Sequence, residues 1–423
     1  MTGKTDIRES ARDLQKKISR RPPRSAAPVF LLAAAVLCAY FSACGRTGFW
    51  AGAGAIYPEV CADYPRIVDA PGQVGTVSSV AFDRHGIPHI AYYDMVNKRL
   101  KYAQAVTSQA QCGWVIAVAD DEGELTGLYP NLVIPEDNIP RIAYMAARQD
   151  SQQGVHYELR FAEKATNPDG TFEWRRNKLD DSGYRGNFAT MVVGPDRLYH
   201  LVTLNGRTMD LEYGYYDGAN PPKFEPALSL AGYNVIDVQV SLAVTPGGVP
   251  LIAIHHPINQ LWLVQRSAAP PNSGTWQVTV VETNQYFQDI GRFVSLAVDE
   301  RGLPHLCHFR WDQSRSELWY NHYDGSAWQR SVVDSEGVTG ANCSIALNAS
   351  GLPVISYLNS TNNDLRVAFL RDPERMRWEI WTADYSMATG YSSDLAISAA
   401  GNIGISYYDF SVQGLKFYWI GFY

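Results

Sequence analysis

The sequence predicts an all-β fold, a seven-bladed β-propeller of four-stranded antiparallel blades. Three observations carry that expectation. One segment recurs seven times, with turn residues Gly86, Asn138, Arg197, Gly248, Gly302, Gly351 and Gly401 spaced 49 to 59 residues apart. Each copy contains the same plan of four short strands. The seventh copy reaches Tyr423 after three strands, while an unmatched strand precedes the first copy. Self-similarity at a period of about 50 residues indicates a repeat architecture and outranks any local motif.

The inner strand of each copy alternates small and apolar residues, as in SVAFD from Ser79. A tight turn, often Gly-x-Pro, leads into the second strand, HIAYYD from His89 in the first copy. Glycine supplies the positive φ and proline the fixed φ that such turns need. A polar hairpin precedes the third strand, LKYAQAV from Leu100 or LWYNHYD from Leu318. The fourth strand is usually opened by tryptophan, as at Trp114, Trp276, Trp328 and Trp378. Alternating β-branched and aromatic residues suit half-buried strands, and the 3.6-residue period of stacked helices is missing. The stretch YPRIVDAPG, 64–72, is similar to QRSVVDSEG, 329–337. The amino-terminal strand is therefore expected to complete the seventh blade and close the ring, which hides an aggregation-prone edge.

His85 and His89 lie four residues apart, a spacing that serves a metal only on a helix. Gly86 and Pro88 between them mark a turn instead. Other copies place Gly247, Arg301 or Ser350 at the first position and Leu251 or Val354 at the second. The pair is read as scaffold, no metal site is expected, and no cofactor motif is present.

Of the 423 residues, 46% are apolar, enough for a large core. Beyond residue 43 the chain carries 28 basic and 40 acidic side chains, a net charge of −12. Such a body repels phosphate backbones, so nucleic acid is excluded as an expected partner.

Residues 1–43 read as a signal segment, 44–63 as a flexible tether and 64–423 as the propeller. A basic stretch from Lys16 to Arg24 precedes the apolar run Pro28 to Ala43. The residues Phe41-Ser42-Ala43-Cys44 resemble a bacterial lipobox, which implies lipidation of Cys44, export, and a partner membrane at the cell envelope, the outer membrane or the cell surface. An uncleaved anchor and plain secretion are the alternatives, although the run is shorter than the roughly 20 residues that span a bilayer. Cys61, Cys112, Cys307 and Cys343 remain, an even number in an oxidising compartment. Their places in the repeat suggest bridges Cys61–Cys112 and Cys307–Cys343, with buried thiols as the alternative.

Inner strands begin on the face that also carries the hairpins between second and third strands. A ring of small or polar residues starts these strands: Ser79, Asn131, Thr190, Ser241, Ser295, Ser344 and Asp394. It is either steric packing with local hydrogen bonding or a channel that holds a ligand. The surrounding loops offer Tyr129, Tyr184, Arg185, Tyr233, Tyr286, Arg292 and Tyr391. The hairpins add Asp94, Arg148, Arg207, His255, His256, Arg310, Asp312 and Asp409. Tyrosines interleaved with arginine and aspartate suit a glycan or a protein surface. The acidic run Asp120-Asp121-Glu122 with Glu124 is read as a solvated turn, with calcium binding as the sharper alternative.

The repeat plan, over roughly 64–423, resembles the sialidase-like (BNR/Asp-box) propellers. The turns DGTFEW at Asp169 and DGSAW at Asp324 recur near the Asp-box position without its full pattern. The resemblance implies a site over the central channel and, in its enzymes, an arginine triad with a tyrosine nucleophile. No such set can be placed here, and G-x-S-x-G and HExxH are missing. The expected role is a surface-tethered propeller that binds an envelope protein or a glycan without chemistry of its own. The competing expectation is a carbohydrate-active enzyme, a glycoside hydrolase or lyase.

Overall fold

The computed structural model describes residues 65–106, 113–150, 154–235, 238–283, 288–312, 315–386 and 388–421. Among them all regular structure is β, in seven four-stranded antiparallel sheets. Blades 1 to 6 are built from consecutive strands over 74–120, 125–183, 187–229, 239–282, 289–334 and 339–384. Blade 7 takes its three inner strands from 391–420 and its outer strand from the amino-terminal Arg66–Asp69. Arg66 pairs with Phe417 and Asp69 with Leu415, around a bulge. The closing strand is thus shorter than the expected 64–72 but plays the expected part. Among the described residues no helix is long and apolar enough to cross a membrane.

The core lies between blades. Each of seven apolar clusters straddles one junction, for example Tyr92 and Ile90 of blade 1 with Leu415 and Phe417 of blade 7. The second strands of blades 1, 3, 4, 6 and 7 are buried end to end because both faces of the blade are covered. The tryptophans that open outer strands are wedges between blades. Trp174 meets Tyr102, Trp276 meets Tyr213 and Trp378 meets Tyr320, edge to face with centroids 5.0–5.3 Å apart. Trp114 meets Phe417 in the same way at 5.2 Å. Each ring comes from the third strand of the preceding blade, so the indoles tie the blades in sequence.

His89 is explained by the same joints. It bonds the Tyr102 hydroxyl, and His200 and His305 bond Tyr213 and Tyr320 at 2.6 Å. Turn carboxylates Asp83, Asp196 and Asp299 lie on the other side of the three rings, at 3.6, 3.1 and 3.9 Å. Burial lowers all three imidazoles, His89 and His305 to about 4 despite those carboxylates. They are neutral joints in blades 1, 3 and 5.

Candidate active face

At most junctions the outer strand of one blade ends in a carboxylate that faces the second and third strands of the next. Four junctions share one plan. The Tyr92 hydroxyl donates to Asp69 at 2.7 Å, and Lys101 pairs with the same carboxylate. Asp120 receives Tyr144 at 2.6 Å and Arg160 at 2.8 Å. Asp334 receives Tyr357 at 2.7 Å and Arg366 at 2.9 Å. Asp384 receives Tyr407 at 2.6 Å and Lys416 at 2.5 Å. Each tyrosine and its cation are directly opposed in the ladder, so both side chains leave the sheet on one face. Burial would raise Asp120 and Asp384, but their donors and cations outweigh it and hold both below the usual range.

The other three junctions depart from this plan, and they are consecutive. Between blades 2 and 3 the opposed pair is Thr203 and Glu212, so Asp180 meets a second carboxylate. Arg185 bridges the two, 2.8 Å from Asp180. Between blades 3 and 4 the carboxylate's place holds Leu228, and Ile254 and Trp262 replace tyrosine and cation. Between blades 4 and 5 Glu282 faces the opposed pair His308 and Trp319. It accepts from Arg310 at 2.9 Å and Asn321 at 3.1 Å. Burial acts to raise Glu282, yet His308, Asn321 and Arg310 bring it down to about 2.

The departing arc concentrates reactive chemistry on the face of the inner-strand entries. His255 Nε2 lies 2.9 Å from Asp289 Oδ1, and Arg292 pairs with the other oxygen of Asp289. Those partners overcome burial and hold Asp289 low. His256 stacks on Trp262 at 3.7 Å, with Tyr233 edge-on at 4.8 Å. Burial, then the neighbouring His255, lowers His256. The Arg310 guanidinium lies 4.6 Å from the Trp319 ring and donates to Gln288 at 3.2 Å. Tyr233 is 45% and Trp311 39% exposed. Arg207 lies 5.4 Å over Tyr184 at the arc's edge.

The arc therefore carries Tyr184, Arg185, Tyr233, His255, Arg292 and Arg310 of the expected rim, in separate groups, of which one joins His255 and Arg292 through Asp289. Other rim residues have structural work. Asp94 is buried and caps its own hairpin, accepting from Asn97 and Arg99. Asp409 is likewise buried, held by Ser411 and by Lys416 at 3.0 Å. Asp312 accepts the Arg315 amide within its hairpin. Tyr129 takes φ 50° and packs on Phe188 at 5.5 Å. Tyr391 donates to Asn363 at 3.2 Å and meets Phe410 edge-on. Tyr286, Cys44, Cys61 and Cys112 lie outside the described residues, so the Cys61–Cys112 bridge falls there too. Cys307 and Cys343 are buried, free thiols in place of the expected bridge, and Cys343 donates to the Phe293 carbonyl.

The channel ring laces the inner strands together. Ser79, Ser241, Ser295 and Ser344 each accept the amide of the next inner strand, from Leu132, Leu296, Ile345 and Leu395, at 3.0–3.2 Å. Asp394 closes the circuit, accepting from Val80 at 2.8 Å and from the Ser344 hydroxyl at 3.1 Å. Asn131 donates to Ala189 in the same sense, and Thr190 stands opposite Val202 at the equivalent place. These hydroxyls therefore bond between blades, not within their own strand as the steric reading with local bonding expects.

Asp120 of the acidic run is buried between Arg160 and Arg176, and Arg176 also reaches Glu122 at 3.0 Å. His156, Glu158 and Asp181 form a grouping among the described residues whose potential ligand atoms lie within 4.8 Å of one another. Lys178 pairs with both carboxylates, and Arg160 lies 2.6 Å from Glu158. These cations already neutralise it, so it is an ion-pair network. The missed signal for the interblade plan was the carboxylate that ends nearly every outer strand: Asp69, Asp120, Asp180, Glu282, Asp334 and Asp384.

No protein-family model and no curated protein matches the sequence. Solved structures do match in fold. A polysaccharide lyase of family PL25, an ulvan lyase, is similar with TM-score 0.54 and 13% identity, over 84% of this chain and 92% of that one. The polysaccharide lyase Uly1 is similar with TM-score 0.50 and 8% identity, over 91% and 94%. The Hadza microbial sialidase Hz136 is similar with TM-score 0.46 and 12% identity, over 81% and 65%. The chain is a seven-bladed β-propeller with carbohydrate-active enzymes among its structural neighbours. At these identities the likeness is one of fold, and the chemistry of this propeller has to be argued from its own residues.

Proposed function

We propose that the protein cleaves an acidic, uronate-containing polysaccharide by β-elimination, over the rim of blades 3 to 5. The observation that carries this reading is the joint occurrence of His255–Asp289, Arg292, Arg310 and exposed aromatics where the regular interblade plan fails. Aromatic faces such as Tyr233 and Trp311 suit sugar rings, and guanidinium groups suit a sugar carboxylate. In the reaction a base removes the proton α to that carboxylate. Its electron pair forms the C4–C5 double bond, the C4–O bond breaks, and the departing oxygen takes up a proton. His255, oriented by Asp289, is the proposed base, and Arg292 the group that meets the sugar carboxylate.

Hydrolysis fits less well. It needs a carboxylic acid that stays protonated near neutral pH. Glu282 and Asp289, the carboxylates that face His308 and His255, are held ionised by their cations and donors. The lyases of similar fold support elimination as the chemistry to test first.

A second reading, binding without turnover, is favoured by the burial of His255, which is 2% exposed. One assay separates the two. The protein is incubated with uronate-containing polysaccharides, and the ultraviolet absorbance of the unsaturated product is followed. The expected outcome is turnover that falls about 100-fold or more in His255→Gln. Retained polysaccharide affinity with no absorbance change leaves the binding reading, and neither affinity nor turnover overturns both.

A further inference from the structure

The opposite face holds a second feature, a cleft of about 640 Å³ between blades 2 and 3. Its origin can be read from strand register. Five of the six blades built from consecutive strands pair a third-strand residue with the outer-strand tryptophan: Ala105 with Trp114, Lys164 with Trp174, Arg266 with Trp276, Tyr323 with Trp328 and Leu370 with Trp378. In blade 3 the equivalent third-strand residue is Tyr216. Continuing one step from the Tyr215–Lys223 pair, the residue facing it is Pro222. The indole that should wedge against Phe161 of blade 2 is therefore missing. Phe161 meets Tyr199 and Tyr216 of blade 3 instead, at 5.3 Å each, and the three rings line the cleft.

We infer that this cleft binds a neutral saccharide of one or two rings. Its volume is that of a small-ligand site. The aromatic floor offers apolar surface to the C–H face of a sugar, and the walls offer fixed donors and acceptors. Arg141 lies 2.7 Å from both Asp137 and Glu163, with its guanidinium 5.8 Å over the Tyr199 ring. Arg197 pairs with Glu136 at 3.1 Å across the mouth. Arg141 and Arg197 are compensated by carboxylates of the same cleft, Arg175 pairs with Glu173, and Asp217 is taken up by Ala219 and Asn220, so a charged group would compete with a contact already made. Hydroxyl groups can bond to both partners of such a pair without breaking it. The site lies on the face away from the His255 arc and does not depend on the elimination reading.

The test uses the full chain, a panel of neutral mono- and disaccharides, and their uronic-acid and amino-sugar counterparts as charged controls. Binding is read by saturation-transfer NMR and calorimetry. Pro222→Trp restores the missing indole, and Ala219→Trp fills the cleft from its exposed turn. At least one neutral sugar is expected to bind the parent chain and to weaken tenfold or more in both variants. Melting temperature should be held or raised in Pro222→Trp, and polysaccharide binding or turnover at the other face should be unchanged. The inference is overturned if no neutral sugar binds, if charged counterparts bind more tightly, or if both variants keep the parent affinity.

Discussion

The ring is made of two unlike arcs. From the blade 5–6 junction through closure to the blade 1–2 junction, every joint is a carboxylate held by one tyrosine and at least one cation. From the blade 2–3 junction to the blade 4–5 junction, no joint is. Backbone topology is the same in both. The difference teaches that the side chains at the joints change with angle while the backbone does not. In one arc the opposed tyrosine and cation hold the blades together, and in the other the same positions carry Thr203 and Glu212, Ile254 and Trp262, and His308 and Trp319. The first joint of the departing arc, between blades 2 and 3, is also the one without its tryptophan, and the cleft lies there on the other face.

The comparison can be broken most directly by removing one carboxylate from each arc. Asp384→Ala leaves Lys416 buried beside the Tyr407 hydroxyl, with only Asp409 to compensate it. Breaking a buried pair in this way costs about 3–5 kcal/mol. Asp180→Ala leaves Arg185 paired with Glu212, and the expected loss is about 1 kcal/mol. Chemical denaturation of the two variants measures the contrast, and equal losses would show that the arcs do not differ in their joints.

Acid separates the joints on the opposite face from those of both arcs. His89 and His305 are lowered to about 4 by burial, against an ordinary value of 6.5. Between those values the unfolded chain binds more protons than the folded one. Their contribution is complete above about pH 6.5 and is lost as pH falls towards 4. Roughly 3 kcal/mol per histidine is at stake. The carboxylates held low, such as Glu282 at about 2, are lost only further down. His89→Gln with His305→Gln is expected to flatten the upper limb of a stability-against-pH curve and leave the lower limb in place.

Much of this architecture was legible in the sequence, because repeats, turn residues and a strand that completes the last blade are one-dimensional signals. Gly86, Gly302 and Gly351 do take positive φ where the repeat placed its turns. The joints were not legible in the same way. Tyr144 and Asp120 are 24 residues apart and meet only because one blade's outer strand lies beside the next blade's second strand. Asp94 and Asp409 looked like rim ligands because a carboxylate that caps a turn and one that faces solvent share the same sequence context. Burial alone tells them apart. His255 was singled out as a departure from the repeat, and its partner Asp289 is 34 residues away in the next blade.

The smallest effects sharpen where the two arcs stop differing. Near the axis Ser241 and Ser344 do the same work, each accepting the amide of the following inner strand, although the first lies in the departing arc and the second in the regular one. Removing either hydroxyl leaves one amide without that acceptor, a loss of about 1 kcal/mol for a neutral hydrogen bond. Ser241→Ala and Ser344→Ala should therefore lower stability by similar amounts in parallel denaturation experiments. A larger loss in Ser344→Ala would trace to its second bond, to Asp394, whose carboxyl is pushed up by burial. Equal losses would place the difference between the arcs at the rim alone. In that case the axis is a uniform hub, and substitutions on the blade 3 to 5 face can be made without loosening the ring that carries it.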